Sequence, residues 1–299
     1  SQTIQTKYFE KKGLLRAAKD LVEIINTSID EKDEIVIVLG DNLYSWIIVE
    51  MAKLRAKKRI VMQASFHGSV NHIEEKNILK RTVRRALTMI LMHRAESLRF
   101  VNQEQVDCLP VKIKDRKLIS IIPIPVQIPA QTKRPKSKAL GFLGRIHNER
   151  GLEEWLKISI ELERIQLVDE FVIVGDGIER IWFINEISKI KPSKLSYCGF
   201  LNNSDIHMAF SKMSVLLSSA PDETYGLAIR EAALSGVPVV ARLNNVTERL
   251  RSEIPELVFV YKNQDEAIKL VADKLNNFKL DERNLSIHRK NYKLIVQTQ

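Results

Sequence analysis

Cysteine is scarce in this sequence, which has two in 299 residues, Cys108 and Cys198. They lie far apart in the chain and outside any metal-type spacing. Their scarcity excludes a disulfide framework and a structural zinc site, and it indicates a reducing compartment. The sequence also contains no Asp-x-Asp pair, the carboxylate pair that metal-dependent sugar transferases need.

Long apolar runs are absent too. No stretch approaches the length of a transmembrane helix, and the first residues lack the charged-then-apolar layout of a secretory signal. The longest apolar stretches, such as IVIVLG and FVIVG, have the length of buried strands. A content of 44% hydrophobic and 28% charged residues is typical of soluble globular proteins. We therefore expect a cytoplasmic protein.

Positive charge is in excess, with 47 Lys and Arg against 37 Asp and Glu, for a net charge of +10. Such an excess predicts an acidic partner, which is a nucleotide, an anionic membrane face or a nucleic acid. The sequence shows no helix-turn-helix, zinc-finger or aromatic RNA-binding signature. Charge alone does not choose among these partners.

Strand and helix patterns alternate along the whole chain and predict two α/β domains with parallel sheets. The stretch PIPVQIPAQTKRPKSK interrupts them, since it carries four prolines and four basic residues and has no periodicity. We predict an N-terminal Rossmann-like domain over 1–125, a linker over 126–138, a nucleotide-binding domain over 139–280 and a C-terminal helix over 281–299.

Three strand ends of the second domain carry polar or glycine-rich features: GRIHNERG, VGDG and ETYGLAIRE. Ligands of open α/β sheets bind at the carboxyl ends of the strands. Arg145 and Arg150 flank the first of these turns, and a helix begins near Gly226 in the third. Two guanidinium groups and a helix N-terminus suit a diphosphate without a metal ion. The alternatives are that the arginines are surface charges and that VGDG is only a tight turn.

The second half resembles the C-terminal domain of family 4 (group 1) retaining glycosyltransferases of GT-B fold. The matching stretches are GR with a basic residue before glycine, VGDG, YCGFL, and ETYGLAIREAALSGVPVVA, which contains the E-x7-E signature of the family. The resemblance implies two Rossmann-like, doubly wound domains that face each other across a cleft. It covers about a hundred residues in the correct order.

The resemblance also implies a role for each matching residue. Arg145 and Arg150 would contact the donor diphosphate, although the family usually has lysine at the second position. Glu223 would contact hydroxyls of the transferred sugar, the amides of Gly226 and Leu227 would bind phosphate, and Glu231 would accept hydrogen bonds from the ribose. From the residues alone, Glu223 is also explained as an acid at a helix start and Glu231 as an ordinary acid on a helix surface.

The first half matches the same family less closely. QASFHGSV resembles a strand end of its N-terminal domain, which makes His67 a candidate contact to the donor sugar; the alternative is a structural histidine. Relative to the family, the chain lacks the first strand, the glycine-rich loop after it and about one further strand–helix unit. We therefore expect a shortened N-terminal domain, either trimmed or naturally short.

A basic helix is predicted over about 74–95, with the apolar residues Ile78, Leu79, Val83, Leu87, Ile90 and Leu91 on one face. That face either packs on the protein core, with a solvated basic side, or lies on an anionic membrane. The composition slightly favours the core. The resemblance favours the membrane, because many family members glycosylate lipid-linked acceptors.

The sequence therefore predicts a metal-independent, retaining glycosyltransferase of the hexosyltransferase class. It would transfer a sugar from a UDP- or GDP-sugar to a glycan, lipid-linked or small acceptor, as in polysaccharide biosynthesis, and we expect it in the cytoplasm or at the inner face of the membrane. The alternatives are a GT-B epimerase or phosphorylase, and a non-catalytic module that binds nucleotides or nucleic acid. The donor sugar, the base, the acceptor and the oligomeric state are left open.

Overall fold

A computed structural model describes residues 13–27, 34–40, 43–67, 70, 77–115, 117–124, 126, 128, 130–202 and 204–297. The chain divides into two compact units, unit 1 up to Pro123 and unit 2 from Ile124. Both contain a parallel sheet and helices, as predicted.

Unit 1 contains a four-stranded parallel sheet in the order β1-β2-β3-β4. Its elements in chain order are α1 (Leu14–Thr27), β1 (Glu34–Leu39), α2 (Leu43–Lys53), β2 (Arg59–Phe66), α3 (Ile78–Arg94), β3 (Ser97–Phe100), α4 (Gln103–Asp107), α5 (Val111–Lys114) and β4 (Leu118–Ile121).

The core of unit 1 lies on one face of this sheet. Alternate strand residues point to the same face, and Met62, Ala64 and Leu98 are buried there beside Trp46 and other helix residues. The opposite face is open among the residues that the structure describes, and Val36 and Val38 of β1 are 61% and 58% exposed on it.

Helix α3 does not bury the six apolar residues that were predicted to lie on one of its faces. Ile78, Leu79, Val83, Leu87 and Ile90 are 41–74% exposed, and only Leu91 of the six is buried. The helix buries Thr88, Leu91 and Met92 instead. The core-facing interpretation is therefore wrong for five of the six residues. No helix in the described residues is both long and apolar enough to cross a membrane.

Unit 2 contains a six-stranded parallel sheet in the order β10-β9-β8-β5-β6-β7. Its elements are β5 (Ala139–Leu143), a 3-10 turn (Asn148–Arg150), α6 (Leu152–Arg164), β6 (Glu170–Val174), α7 (Arg180–Lys189), β7 (Leu195–Gly199), α8 (Ile206–Phe210), β8 (Val215–Ser218), α9 (Leu227–Leu234), β9 (Val239–Arg242), α10 (Asn245–Glu253), β10 (Val258–Tyr261), α11 (Gln264–Asn277) and α12 (Glu282–Gln297).

The strand order of unit 2 reverses between β5 and β8. From β5 the chain adds β6 and β7 on one side, and it then returns to add β8, β9 and β10 on the other side. The helices that follow two such neighbouring strands diverge, which leaves a crevice at their carboxyl ends. This is the place where open α/β sheets bind ligands.

The segment predicted as a linker over 126–138 is part of unit 2 and packs on its helices. Thr132 donates its backbone N–H to the carbonyl of Ser235 at 3.1 Å. The guanidinium of Arg134 donates to the carbonyls of Lys274, Leu275 and Phe278 at the end of α11. These contacts attach the segment to the carboxyl-terminal ends of α9 and α11.

Candidate functional site

Two loops meet at the crevice of unit 2, one after β5 and one after β8. The Oγ of Ser219, just after β8, donates to the carbonyls of Arg150 and Gly151 at 3.1 and 2.9 Å. Gly151 adopts a left-handed conformation with φ 67°, and a Cβ there would lie 2.0 Å from the Ser219 carbonyl oxygen. Glycine is therefore required at position 151 for the two loops to approach.

The VGDG turn after β6 supports the loop that carries the arginines. A Cβ at Gly175 would lie 1.9 Å from the carbonyl oxygen of Gly144, and one at Gly177 would lie 2.1 Å from that of Ile146. The backbone N–H of Ile146 also donates to the carbonyl of Asp176 at 2.9 Å. The glycines of this motif thus have a packing reason, since they let the two loops contact each other through their backbones.

Arg150 and Glu223 form an ion pair across the crevice. Nη1 of Arg150 lies 2.8 Å from Oε2 of Glu223, and 35% and 8% of the two side chains are exposed. The other carboxylate oxygen of Glu223 accepts the backbone N–H groups of Thr224 and Gly226 at 3.2 and 3.3 Å. Glu223 therefore accepts hydrogen bonds from the backbone at a helix start, as one interpretation predicted. It also pairs with Arg150, the arginine predicted to contact the donor diphosphate.

Arg145 lies on the same loop but is far more accessible. Its side chain is 62% exposed, and its Nη2 donates to Oε2 of Glu149 at 2.6 Å. An exposed pair of this kind contributes little to stability. The guanidinium of Arg145 is consequently free to exchange Glu149 for another anion at small cost.

Helix α9 begins at the crevice, after Gly226. Gly226 has φ 74° and contributes no capping side chain, and Leu227 and Ala228 behind it are half-buried. The first N–H groups of a helix have no partner within it, and the helix dipole favours an anion at this end. The start of α9 therefore offers backbone donors to a negatively charged group.

Glu231 lies one turn into α9, on the side of Leu227, because residues four apart share a helix face. The residue is only 6% exposed, and no described residue donates a hydrogen bond to its carboxylate. Burial raises the pKa of Glu231 to about 7. The interpretation of Glu231 as an ordinary surface acid is wrong, because this carboxyl group is buried without a counterion among the residues that the structure describes.

His67 is the one predicted site residue that belongs to unit 1. It follows the last residue of β2 and is exposed. The structure thus brings together the loop of Arg145 and Arg150, Glu223 and the start of α9, and His67 remains a prediction.

Sequence reasoning missed three features of this sheet edge: Ser219, helix α10 and a pair between Arg242 and Glu154. Helix α10 begins after β9, and Asn244 caps it, with its side chain accepting the N–H of Thr247 at 3.0 Å while Thr247 Oγ1 accepts the N–H of Asn244 at 2.9 Å. The pair joins the end of β9 to the first turn of α6. The asparagine three residues before a threonine is a capping pattern that predicts such a helix start.

The comparisons with known proteins agree with this architecture. Residues 137–277 match the family described as "Glycosyl transferases group 1". The match falls on the second domain, and the resemblance predicted from the sequence is confirmed.

Three curated relatives match parts of the chain. An alpha-monoglucosyldiacylglycerol synthase of Acholeplasma laidlawii is 24% identical over 42% of this chain and 31% of its own length. A GDP-mannose-dependent alpha-mannosyltransferase of Mycolicibacterium smegmatis is 31% identical over 34% and 24%. A 2-deoxystreptamine glucosyltransferase of Streptomyces kanamyceticus is 28% identical over 42% and 37%. The matched segments thus span little more than a third, or less, of these relatives.

Solved structures resemble nearly the whole chain in fold. TarM of S. aureus, in complex with UDP, superposes with a TM-score of 0.73 at 15% identity, over 95% of this chain and 57% of its own. Sucrose-phosphate synthase of Thermosynechococcus elongatus gives a TM-score of 0.68 at 12% identity, over 98% and 81%. The predicted fold class is confirmed, and it is that of the GT-B glycosyltransferases.

Proposed function

We propose that this protein is a retaining, metal-independent glycosyltransferase that moves a sugar from a nucleotide-diphosphate sugar to a hydroxyl of a glycan, lipid-linked or small acceptor. The observation that carries the proposal is the Arg150–Glu223 pair at the strand-order reversal of unit 2, beside the start of α9. A cation for phosphate and a carboxylate for sugar hydroxyls stand together where the fold binds ligands.

In the proposed reaction the bond between the anomeric carbon and the diphosphate oxygen breaks, and the diphosphate leaves with the electron pair. The acceptor oxygen forms the new bond to the anomeric carbon, and its proton passes to the departing diphosphate oxygen. Negative charge grows on the leaving diphosphate, and Arg145, Arg150 and the backbone N–H groups of Gly226 and Leu227 would stabilise it. These positive groups would take the role of a metal ion.

Two carboxylates would position the donor. Glu223 would accept hydrogen bonds from hydroxyls of the transferred sugar and would favour the positive charge that develops on the ring. Glu231 would accept hydrogen bonds from the ribose, one turn further along α9. His67 is a further predicted contact to the transferred sugar.

The comparisons support a nucleotide-sugar donor without choosing its base. One relative is described as GDP-mannose-dependent, and the TarM structure contains UDP together with alpha-GlcNAc-glycerol. The proposal therefore covers both UDP- and GDP-sugars.

A panel of nucleoside diphosphates tests donor binding. A ligand that binds only the native state raises the melting temperature. At a concentration of a hundred times Kd it adds about 2.7 kcal/mol to the free energy of unfolding. We expect UDP or GDP to raise it in the wild type and to have a much smaller effect on Arg150→Ala and Arg145→Ala. Arg164→Ala is the matched control, because Arg164 pairs with Glu161 on the exposed side of α6.

Transfer itself is measured with isotope-labelled UDP- and GDP-sugars, with and without chelator. The proposal is supported if the product keeps the anomeric configuration of the donor and still forms in the presence of chelator. The Glu223→Ala variant should form no product. Transfer that survives Glu223→Ala and Arg145→Ala would contradict it. Epimerisation or sugar phosphate formation in the same product screen would identify a different GT-B reaction.

The exposed face of α3 supports peripheral association with an anionic membrane. Leu79, Val83, Leu87 and Ile90 form a solvent-exposed stripe, and the same helix carries Lys80, Arg81, Arg84, Arg85 and Arg94. An apolar stripe bordered by basic residues binds anionic lipid surfaces. This observation favours a lipid-linked acceptor among the three acceptor classes.

Vesicle sedimentation tests this association. We expect the protein to bind phosphatidylglycerol vesicles, to bind phosphatidylcholine vesicles far less, and to dissociate as salt is raised. Val83→Glu with Leu87→Glu should abolish binding, whereas Ile165→Glu, at an apolar residue of unit 2 with similar exposure, should not. Equal binding by both variants would contradict the proposed surface.

A further inference from the structure

The C-terminal helix α12 packs on α9, the helix whose start would bind the donor phosphate. Nη1 of Arg289 on α12 donates to the carbonyl of Leu234 at the last residue of α9, at 2.5 Å. This carbonyl is one of those that a helix leaves without an internal partner, and a cation is favourable there. Helix α12 therefore binds the carboxyl-terminal end of α9.

A second contact reaches the near end of α9 through Arg230. This arginine is 4% exposed, and its guanidinium lies between two aromatic rings, 4.8 Å from the ring centre of Tyr225 and 5.2 Å from that of Tyr292 on α12. Arginine stacks on aromatic faces through its planar, delocalised charge. The stack connects α12 to the residue just before Gly226.

Hydrogen bonds fix the plane of this guanidinium. Nε of Arg230 donates to the carbonyl of Tyr225 at 3.3 Å, and Nη1 lies 2.6 Å from Oε2 of Glu253 on α10. The hydroxyl of Tyr292 donates to the same carboxylate oxygen at 2.9 Å. The charge of Arg230 is thus buried but paired, and its contacts join helices α9, α10 and α12.

The carbonyl bonded by Arg230 belongs to the peptide that joins Tyr225 to Gly226. The N–H of that same peptide plane is the one that donates to Glu223. A rotation of this peptide would therefore move a candidate phosphate donor and the bond to Glu223 together. We infer that Arg230, held by Tyr292 and Glu253, is a positioning residue that orients the Tyr225–Gly226 peptide for the donor. This inference rests on the proposed function.

A purely structural role predicts something different. Removal of one partner of a buried ion pair is destabilising, so in a purely structural role Arg230→Met would lower the melting temperature and leave the donor affinity of the folded protein unchanged. A positioning role requires the planar fork, which lysine lacks although it keeps the charge. The variants Arg230→Lys and Arg230→Met therefore separate charge, packing and orientation.

The experiment measures nucleoside-diphosphate affinity, KM for the donor, KM for the acceptor and melting temperature on the full chain. Misplacement of a binding group by about 1 Å costs up to about a hundredfold in rate, so we expect kcat/KM for the donor to fall roughly 10- to 100-fold in Arg230→Lys and Arg230→Met, together with a loss of affinity for UDP or GDP. The KM for the acceptor should not change. Tyr292→Phe keeps the ring, loses one hydrogen bond and should lose about fivefold or less.

His288→Gln is the control on α12, since His288 contacts Glu256 away from Tyr225, and it should behave as the wild type. If Arg230→Lys does not fold, Tyr292→Phe and Tyr292→Leu carry the same comparison. Unchanged donor affinity in the folded Arg230 and Tyr292 variants would overturn the inference and leave the proposed function intact. A wild type that binds neither UDP nor GDP would overturn both.

Discussion

Glu231 gives a quantitative test of the site without any ligand. Burial raises its pKa from an ordinary value of 4.5 to about 7. Between these values the folded protein keeps a proton that the unfolded chain has lost. The contribution of Glu231 to the free energy of unfolding therefore falls as pH rises from about 4.5 to about 7. Below and above this range its contribution is constant.

The magnitude follows from the same two values. Each tenfold change in an equilibrium constant is about 1.4 kcal/mol, so a pKa raised from 4.5 to about 7 corresponds to about 3 kcal/mol. Glu231→Gln replaces the carboxyl group by a neutral group of similar shape. At about pH 5 the variant should be nearly as stable as the wild type, and at about pH 8 it should be more stable by about 3 kcal/mol.

Urea unfolding at these two pH values measures the difference. Both proteins would carry Trp46→Phe, so that fluorescence reports Trp155 and Trp182 of unit 2. Glu248→Gln, on the exposed surface of α10, controls for the loss of one negative charge. If the wild type and Glu231→Gln lose the same free energy of unfolding between the two pH values, the description of Glu231 as a buried, uncompensated acid is refuted.

Three further predictions concern the crevice. Glu223→Gln leaves the Arg150 guanidinium without its counterion and should lower the transfer rate by about 10²–10³, with Glu161→Gln as the surface control in the same assay. Gly151→Ala introduces a Cβ 2.0 Å from a carbonyl at a positive φ, so it should destabilise unit 2 by about 2 kcal/mol or more in thermal unfolding, whereas Gly13→Ala, with open space around it, should not. Nucleotide-sugar binding should strengthen as pH rises through about 7, since ionised Glu231 is the better acceptor; calorimetry that shows no change would contradict its assignment to the ribose.

Much of the fold follows from periodicity and turn chemistry. The C-terminal helix predicted over 281–299 contains α12, and the apolar runs IVIVLG and FVIVG coincide with β1 and β6 to within one residue. The elements between them, α10 and β10, were missed. Helix α10 is held by a capping box and ion pairs rather than by a broad apolar stripe, and β10 is only four residues long. Neither leaves a strong periodic signal.

Periodicity also fails to say which side of a helix is buried. The apolar residues of α3 repeat at helical spacing, yet the stripe from Leu79 to Ile90 faces outward and the side with Thr88, Leu91 and Met92 faces the core. The orientation is set by which residues the neighbouring strands contact, and that depends on the three-dimensional arrangement. A surface stripe and a core stripe look the same in one dimension.

The site residues could be found from motifs, but their pairing could not. Arg150 and Glu223 are far apart in sequence, and they meet because β5 lies beside β8 in the sheet. Strand order is a property of the whole domain, so no local pattern contains it. Ser219 was missed for the same reason, since its role appears only when the two loops are adjacent.

The ion pair at the crevice discriminates between the acidic partners that the net charge allows. A phosphate of a nucleic acid or a lipid would take the guanidinium of Arg150 away from Glu223 and leave a mostly buried carboxylate short of one partner. Leaving such a group unpaired costs more than a new hydrogen bond returns. A nucleotide sugar offers a diphosphate to Arg150 and hydroxyl donors to Glu223 in one molecule, so both partners are satisfied when their pair separates. The geometry of the pair therefore favours a nucleotide sugar over the other anions.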